Sequence, residues 1–535
     1  MLMWGHYFSR LISPPPHKRL RALLHWKQTR ALGAALCLTG TIASAQGDPQ
    51  GEPLSAIDWL SRSVEPTPLY EAPAVGDATS PDVTVTPLDR LSKDPIGLLA
   101  PDVTGLPRNI WSASQEAVLV DLVRAERIDT LPAMQDFLKV MMLAEADPPL
   151  GANGEAALFL ARVDKLLDLG ALEPAQSLIE QANPDTGPLF RRWFDVALLT
   201  GTEDTACEAM RDTPSIAPTF SARIFCLARN GDWSAAALSL NTHRVLGDIT
   251  PQEEALLSRF LDPDHYEGEP PLAPPPRVSP LTFRMHAAIG EPLITANLPL
   301  AFAHADLRPT TAWKSQLEAT ERLARFGAVS ENVLLRNYTA RTPAASGGIW
   351  DRAAAIQRFD AAMTARDPVA VAQSLPDARA AMQQARAEIP FAKLYGAALQ
   401  ELPLSGEAAA IAFEVGLLSP DYEAVAGAAA EADAGFDPFL IGLALGAPPN
   451  LPANAPRAQA IQRAFDGSPP PPELQSRVDE GKLGEALLQA MALFGAGSEG
   501  DLRSVTDALS LLRSVGLEDV ARRAALQLML LDRTP

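Results

Sequence analysis

Cys207 and Cys226 are the residues whose chemistry is easiest to define, because the chain contains only one other cysteine, Cys37. A zinc site requires about four ligands, and no cluster of histidines or cysteines surrounds this pair. A catalytic thiolate would require a basic partner, for which the sequence offers no support. The stretch from Thr213 to Pro218 is typical of a turn, so the two cysteines should lie on antiparallel helices. We therefore predict that they form a disulfide.

The histidines are the next residues that could do chemistry, and those beyond residue 45 are scattered: His243, His265, His286 and His304. His286 with Glu291, and His304 with Asp306, could each form an acid–base pair. A single histidine on an amphipathic helix is more often structural, and the chain has no His-Glu-x-x-His, Gly-x-Ser-x-Gly or Ser-x-x-Lys motif. The region His286–His304 is therefore the site of an alternative hypothesis only.

Three further motifs are better explained by structure than by ligand binding. The run Gly495–Gly500 matches G-x-G-x-x-G, but a helical pattern precedes it where a dinucleotide site requires a strand, so we predict a helix–helix loop. The acidic run Asp262–Glu269 lacks the ligand order of a calcium loop and is typical of a solvated linker. Pro343–Trp350 could offer backbone amides to an anion, or could simply begin a helix at Asp351. We predict no cofactor and no metal.

The N-terminus has the composition of a secretory signal peptide. Six basic residues precede an apolar run over 31–42, and Ala43-Ser-Ala45 fits a cleavage site. This run is shorter than the roughly 20 residues that cross a bilayer, although retention as an uncleaved anchor is the alternative. We predict that residues 1–45 are a signal peptide, that the protein is periplasmic and that no transmembrane segment follows cleavage. An oxidising compartment also suits a disulfide.

The charge of the chain limits its partners. It has 45 Lys and Arg against 65 Asp and Glu, a net charge of −20. Residues 1–45 contain six of the basic residues and no acidic ones, so the mature chain has 39 against 65, or −26. Nucleic acids and anionic membrane surfaces both bind basic patches. We therefore expect neither as a partner.

Composition divides the remaining chain into helical blocks and proline-rich segments. From Trp111 onward, Ala, Leu, Arg and Glu dominate, and apolar residues recur at helical spacing. The predicted organisation is a proline-rich extended tail at 46–110, helical block 1 at 111–269, a linker at 270–280, block 2 at 281–447, a linker at 448–472 and a C-terminal block at 473–535.

The tail contains short apolar islands that interrupt its polar sequence. The first is a possible short helix whose apolar side chains are Leu54, Ile57, Trp59 and Leu60. Such an island can dock on a partner's groove, or it can pack on the protein's own body. A second island runs from Ile96 to Leu99. We expect the rest of residues 46–110 to lack regular packing.

A weak internal repeat indicates helical hairpins. A glycine followed by an alanine five positions later occurs in four pairs: Gly170 and Ala175, Gly231 and Ala236, Gly481 and Ala486, Gly516 and Ala521. Each glycine should end one helix, and each alanine should let the next helix approach it closely. These stretches resemble the tetratricopeptide helix–turn–helix, although their spacing is irregular. The resemblance implies an all-α fold, an irregular α–α superhelix in helical blocks with an extended N-terminal tail.

Longer stretches resemble a family of exported helical proteins of alphaproteobacteria. They are Ile57–Ser61, Phe225–Trp233, Arg259–Pro263 and Pro343–Asp351. Some members of that family are labelled "antifreeze", but no regular array of threonines lies along any helical pattern of this chain. The resemblance implies export and a helical fold, and it implies no activity and no site residues.

Export, tandem helical hairpins and the lack of catalytic motifs together favour one function class. Stacked hairpins create extended concave surfaces that bind other proteins. The leading hypothesis is an exported helical-repeat scaffold that binds a protein or peptide partner in the cell envelope without catalysis. The alternative is an envelope enzyme that acts on peptidoglycan or another polymer, with its site near His286–His304.

Overall fold

The computed structural model describes residues 92–432, 435–450 and 455–531. Within these ranges the chain forms 24 α-helices, five short 3₁₀ helices and no β-strand. None of these helices combines the length and the apolar sequence that crossing a membrane requires. The predicted all-α fold class is confirmed. The predicted signal peptide and the apolar island of Leu54, Ile57, Trp59 and Leu60 lie outside the described residues.

The first half of the described chain contains helices α1 to α11: α1 Pro101–Thr104, α2 Glu116–Ala125, α3 Pro132–Leu143, α4 Ala157–Asp168, α5 Leu172–Gln181, α6 Gly187–Thr200, α7 Glu203–Asp212, α8 Phe220–Arg229, α9 Trp233–Leu246, α10 Pro251–Leu261 and α11 Pro280–Ala288. The second half contains α12 to α24: α12 Trp313–Arg325, α13 Glu331–Thr339, α14 Ile349–Ala365, α15 Pro368–Ala385, α16 Glu388–Gln400, α17 Gly406–Leu417, α18 Tyr422–Glu431, α19 Pro438–Ala444, α20 Pro456–Phe465, α21 Pro472–Asp479, α22 Leu483–Ser498, α23 Leu502–Ser514 and α24 Glu518–Leu530. The 3₁₀ helices are Arg108–Ile110, Pro214–Ile216, Pro263–Tyr266, Thr295–Asn297 and Leu300–Leu307.

The glycine–alanine repeat corresponds to four helical hairpins. The glycines Gly170, Gly231, Gly481 and Gly516 all have positive φ, between 68° and 85°. The four alanines that follow them are completely buried, in α5, α9, α22 and α24. The left-handed conformation costs an L-residue free energy that glycine avoids, and the alanine methyl leaves room for the adjoining helix. The predicted hairpins are confirmed at all four positions.

Two more hairpins use arginine where the repeat has glycine. Arg366 and Arg386 end α14 and α15 with φ of 50° and 53°. Five residues later, Val371 and Phe391 are buried in the following helices. The turn has the same geometry, but its glycine is absent. A search based on glycine therefore missed both hairpins.

The last helices return to the first ones, so the two ends of the described superhelix meet. Helix α24 packs on α3, and α22 packs on α2. The side chain of Gln527 accepts a hydrogen bond of 2.7 Å from the backbone N–H of Ala133. Trp111 lies directly against Gly484 at the start of α22, where a Cβ would overlap the indole ring. A close aromatic–glycine contact thus joins the two ends.

The C-terminal part of the predicted tail is packed more extensively than expected. Leu106 and Ile110 are buried in the main core together with Trp111. Asp94 is also buried, and its carboxylate accepts a hydrogen bond of 2.9 Å from the backbone N–H of Phe159. The expectation that only Ile96–Leu99 packs in this part of the tail was wrong. The hydrogen bond with α4 thus buries Asp94, although its own side chain is polar.

The proline-rich ranges contain more helix than their composition suggests. Helix α20 lies entirely inside the predicted linker 448–472, and Ile461 and Ala464 of this helix are buried. Proline at the first helical position is compatible with a helix start because its missing N–H would have no partner there. The division into three separate blocks stays a prediction.

The cysteine pair occupies one helical hairpin. Cys207 in α7 and Cys226 in α8 are bonded, with their Cα atoms 5.0 Å apart. The turn between the helices contains the 3₁₀ helix Pro214–Ile216. Both side chains are buried. The predicted disulfide between facing helices is confirmed.

We expect the double substitution Cys207→Ala and Cys226→Ala to lower the free energy of unfolding by about 2–4 kcal/mol, because the bond restricts the unfolded chain. Urea unfolding of the oxidised protein measures the change. Alanine is chosen instead of serine because it places no hydroxyl group in the buried site. A reductant should destabilise the unsubstituted protein by a similar amount and leave the double variant unchanged. Equal unfolding midpoints with and without the reductant would contradict this.

The closure of the superhelix predicts opposite effects for two glycine-to-alanine substitutions. Gly484→Ala should destabilise the protein by about 1–3 kcal/mol, because the new methyl group would overlap Trp111. Gly427→Ala in α18 is the matched control. It meets no atom within 4 Å, so its higher helix propensity should stabilise by roughly 0.5–1 kcal/mol. Thermal and urea unfolding measure both, and stabilisation by Gly484→Ala would disprove the close contact.

Candidate functional site

A cleft of about 120 Å³ lies where helices α8, α10 and α11 begin beside the middle of α6. Its floor is apolar and consists of Phe194, Leu256, Leu257, Leu281 and Met285. Its polar wall consists of Arg191, Asp195, Thr219, Ser221, Glu253, Ser279 and Thr282. An apolar concavity with a few convergent polar groups is the usual form of a small-molecule or side-chain site. We refer to it as the α6–α11 cleft.

The helix starts at the cleft follow from local capping sequences. Thr219 accepts a hydrogen bond of 3.0 Å from the N–H of Ala222 and thereby caps α8. Ser279 and Thr282 form a reciprocal capping box at the start of α11. Proline at the first position of α10 and α11 also favours a helix start. These caps bring three helix N-termini, with their partial positive charge, to one place.

Glu253 at the start of α10 has its hydrogen-bonding capacity filled by neighbouring groups. Its Oε2 accepts hydrogen bonds of 2.9 Å from both the backbone N–H and the hydroxyl of Thr250. Its Oε1 accepts one of 3.2 Å from the Ser221 hydroxyl. This carboxylate thus holds α10 against α8. The role of Glu253 is therefore structural.

Asp195 on α6 differs from Glu253 because it makes no hydrogen bond within the described chain. Its side chain is buried, with the residue 8% exposed, and its Oδ2 is shielded from solvent. The nearest cation is Arg191, whose Nε lies 3.8 Å from Oδ2, beyond hydrogen-bonding distance. Burial raises the pKa of Asp195 to about 7, although Arg191 and Arg192 act to lower it. A carboxyl group with a displaced pKa in a cleft is a candidate functional group.

The position of Asp195 depends on a buried ion pair one helical turn away. Arg192 donates a hydrogen bond of 2.7 Å from Nη2 to Oδ2 of Asp164 on α4 and one of 3.0 Å to the carbonyl of Pro188. The bidentate pair fixes the rotation of α6 about its axis. As a result, Asp195 faces the cleft while Arg192 faces α4.

A second conspicuous surface lies on α9. Leu238 and Val245 are 69% and 81% exposed, and Trp233 and Leu246 are also exposed. Leu238 and Val245 are seven residues apart and share one face of the helix, whereas Ala236 and Leu240 face the core. We name Leu238 and Val245, with the neighbouring Leu246, the α9 ridge.

Phe220 connects the edge of the cleft to helix α9. This residue begins α8 between Thr219 and Ser221, which both line the cleft. Its half-exposed ring stacks on His243 of α9 at a centroid distance of 3.6 Å. This contact joins α8 to the face of α9 that carries His243, which is not the face that carries Leu238 and Val245.

A larger and more open cleft of about 260 Å³ lies where the α2–α3 loop approaches the ends of α12, α15 and α22. It is lined by both signs of charge, including Asp129, Arg325, Arg386 and Glu499. Glu499 is paired with Arg127 at 2.7 Å. This cleft lacks an apolar floor and marks the junction of the chain ends.

The histidines of the alternative hypothesis occupy structural positions. His286 is buried in α11, and His304 donates a hydrogen bond of 2.7 Å from Nε2 to the carbonyl of Gly170. Burial lowers the pKa of both imidazoles. Glu291 binds Arg259, and Asp306 accepts a hydrogen bond from Thr295. Neither predicted acid–base pair forms a hydrogen bond between its two side chains in the described residues, and neither histidine lines the α6–α11 cleft.

The remaining sequence motifs also have structural roles. Gly495 and Gly497 lie in the last turns of α22, not in a loop as predicted, and a Cβ on Gly497 would meet the backbone of Val505 at 2.8 Å. Gly348 precedes α14, and Asp351 accepts a hydrogen bond of 2.9 Å from the N–H of Gly347. Among the described residues, no group of three or more His, Cys, Asp or Glu side chains has the arrangement of a metal site.

Sequence reasoning missed both Asp195 and the α9 ridge, although each has a signal. Asp195 is the only charged residue in the otherwise apolar run from Trp193 to Leu199. Leu238 and Val245 make α9 apolar on two faces, which indicates a helix that is buried or docked. Such sequence signals identify an unusual helix face, but they do not show whether another part of the chain packs against that face or leaves it exposed.

The pKa of Asp195 predicts how the substitution Asp195→Asn changes stability with pH. The carboxyl titrates near 3.8 when unfolded and near 7 when folded, so its contribution is complete below the lower value and is lost as the pH rises to the upper one. Relative to the unsubstituted protein, the variant should gain roughly 2–3 kcal/mol between pH 5 and pH 8. Urea unfolding at both pH values measures this difference.

The exposed residue Asp377 on α15 offers a matched control for that substitution. Asp377→Asn removes the same charge and should change stability by less than about 0.5 kcal/mol at either pH. Stability curves of Asp195→Asn and the unsubstituted protein that run parallel between pH 5 and pH 8 would disprove the raised pKa.

Comparison with protein-family models, with curated proteins and with solved structures finds no match to this chain. The function of the chain must therefore be inferred from its own residues and their arrangement.

Proposed function

We propose that the protein is an exported helical-repeat scaffold that binds a partner protein in the periplasm, and that the α9 ridge is its docking surface. The observation that carries the proposal is the exposure of Leu238 and Val245 on the outer face of α9. Clustered exposed apolar side chains mark interaction surfaces in proteins. The predicted signal peptide and the buried disulfide support export.

The docking surface is held rigid by the structure beneath it. Helix α9 packs on α8, which is joined covalently to α7 by Cys226. Asp232 caps α9 by accepting a hydrogen bond of 3.0 Å from Ala235. A preformed surface loses little conformational entropy when a partner binds. This arrangement supports binding without a large rearrangement of the scaffold.

The charge of the chain narrows the class of occupant. A second copy of the mature chain would also carry a net charge of −26, and anionic lipid surfaces repel acidic proteins. A protein segment that presents apolar side chains and is neutral or basic avoids both conflicts. The occupant we propose is therefore a segment of a different protein, with apolar residues that cover Leu238 and Val245.

Site-specific photo-crosslinking in intact exporting cells tests the proposal. A photoreactive residue at Leu238 or Val245 should crosslink to the same polypeptide. Val369 on α15 is the matched control, since it is also apolar and 65% exposed but lies outside the ridge, and it should give no such product. Leu238→Asp should abolish the product obtained from position 245.

Two outcomes would reject the proposed docking surface. One is a lack of any crosslinked polypeptide at both ridge positions. The other is an identical set of products at positions 238, 245 and 369, which would show only non-specific proximity.

A further inference from the structure

The α6–α11 cleft holds a buried carboxylate that makes no hydrogen bond in the described part of the chain and has only a long ion pair with Arg191. Asp195 makes no hydrogen bond with any described residue, and its Oδ2 is buried beside Arg191. Asp195 itself lines the cleft. A buried carboxylate without donors loses the hydration that stabilised it in water. A ligand that brings both positive charge and N–H donors would restore what burial removed.

Several classes of ligand conflict with the cleft. Arg191 and the three helix N-termini would attract an anion, but the carboxylates of Asp195 and Glu253 lie in the same cleft and would repel it. A divalent metal ion would require a set of ligating side chains, and the described residues show none. A guanidinium group prefers both oxygens of a carboxylate, but Arg191 lies beside Oδ2 of Asp195. A compact ammonium group requires only one oxygen.

The rest of the cleft suits an aliphatic chain that ends in such a group. The side chains of Leu256, Leu281 and Met285 belong to the apolar floor, which can cover methylene groups. The hydroxyl oxygens of Ser279 and Thr219 lie on the polar wall and can accept hydrogen bonds. The volume of about 120 Å³ is several times what one water molecule requires.

We infer that the α6–α11 cleft binds a primary alkylammonium group, with Asp195 as its counter-charge and the apolar floor in contact with its alkyl chain. The inference rests on the cleft and is independent of the α9 ridge. Two sources share this chemistry: a free alkylamine, and a lysine side chain of a bound protein.

Binding should depend on pH because the cation requires the ionised carboxylate. The charged groups that act on Asp195 are Arg191 and Arg192 of its own helix and Asp164 of α4, and Glu253 of α10 lines the same cleft. The α8 and α11 residues of the cleft are uncharged. An alkylammonium ligand should therefore bind more tightly as the pH rises through 7, whereas a neutral hydrogen-bond acceptor would bind more tightly below it.

Titration with n-butylammonium and with n-butanol, followed by NMR or calorimetry at pH 8 and pH 5.5, tests the inference. The alcohol has the same chain without the charge. We expect n-butylammonium to bind at least tenfold more tightly than n-butanol at pH 8, and this preference should shrink at pH 5.5. Equal affinities for the two probes, tighter binding at pH 5.5, or no saturable binding would overturn the inference.

Variants locate the site and keep the test independent of folding. Asp195→Asn should abolish the preference for n-butylammonium, whereas Asp377→Asn should preserve it. If Asp195→Asn does not fold, the pH dependence of the unsubstituted protein decides the question. Nα-acetyl-lysine amide distinguishes the two sources, since binding tighter than that of n-butylammonium indicates a lysine side chain and weaker binding indicates a free amine.

Discussion

The buried guanidinium of Arg162 holds together three parts of the chain that are distant in sequence. It donates hydrogen bonds of 2.8–2.9 Å to the carbonyls of Asp94, Met142 and Ala144. The last two lie at the C-terminus of α3, where carbonyls lack helical partners and the helix dipole favours a cation. Asp94 in turn caps the start of α4 through Phe159. Because leaving a cation unpaired in the core costs several kcal/mol, these contacts form as one set.

Helix α4 extends this network to the candidate site. Lys165, also buried, donates hydrogen bonds to the carbonyls of Arg124 and Glu126 at the end of α2. On the same helix, Asp164 pairs with Arg192 of α6. One helix thereby fixes the ends of α2 and α3 and the rotation of α6, which carries Asp195 to the cleft. The chemistry of the cleft depends on a polar framework several helices away.

The two candidate surfaces have different physical characters and share one support. The α9 ridge offers apolar area without charge, and the cleft offers one unsatisfied carboxylate in an apolar setting. Phe220 of α8 stacks on His243 of α9, and the disulfide ties α8 to α7. The proposed scaffold function and the proposed ammonium site each stand on their own observation.

Local physical chemistry explains what could be predicted from the sequence alone. The helices, the four glycine hairpins and the Cys207–Cys226 bond depend on backbone preferences, capping and cysteine pairing within short stretches of chain. The tertiary structure decided the rest: the burial of Asp94 and Asp195, the closure of α24 on α3, and the exposure of Leu238. These features depend on which distant segment covers a residue. The desolvation that raises the pKa of Asp195 and the solvent exposure of the α9 ridge are both properties of that packing, and the local sequence does not show which of them a residue will have.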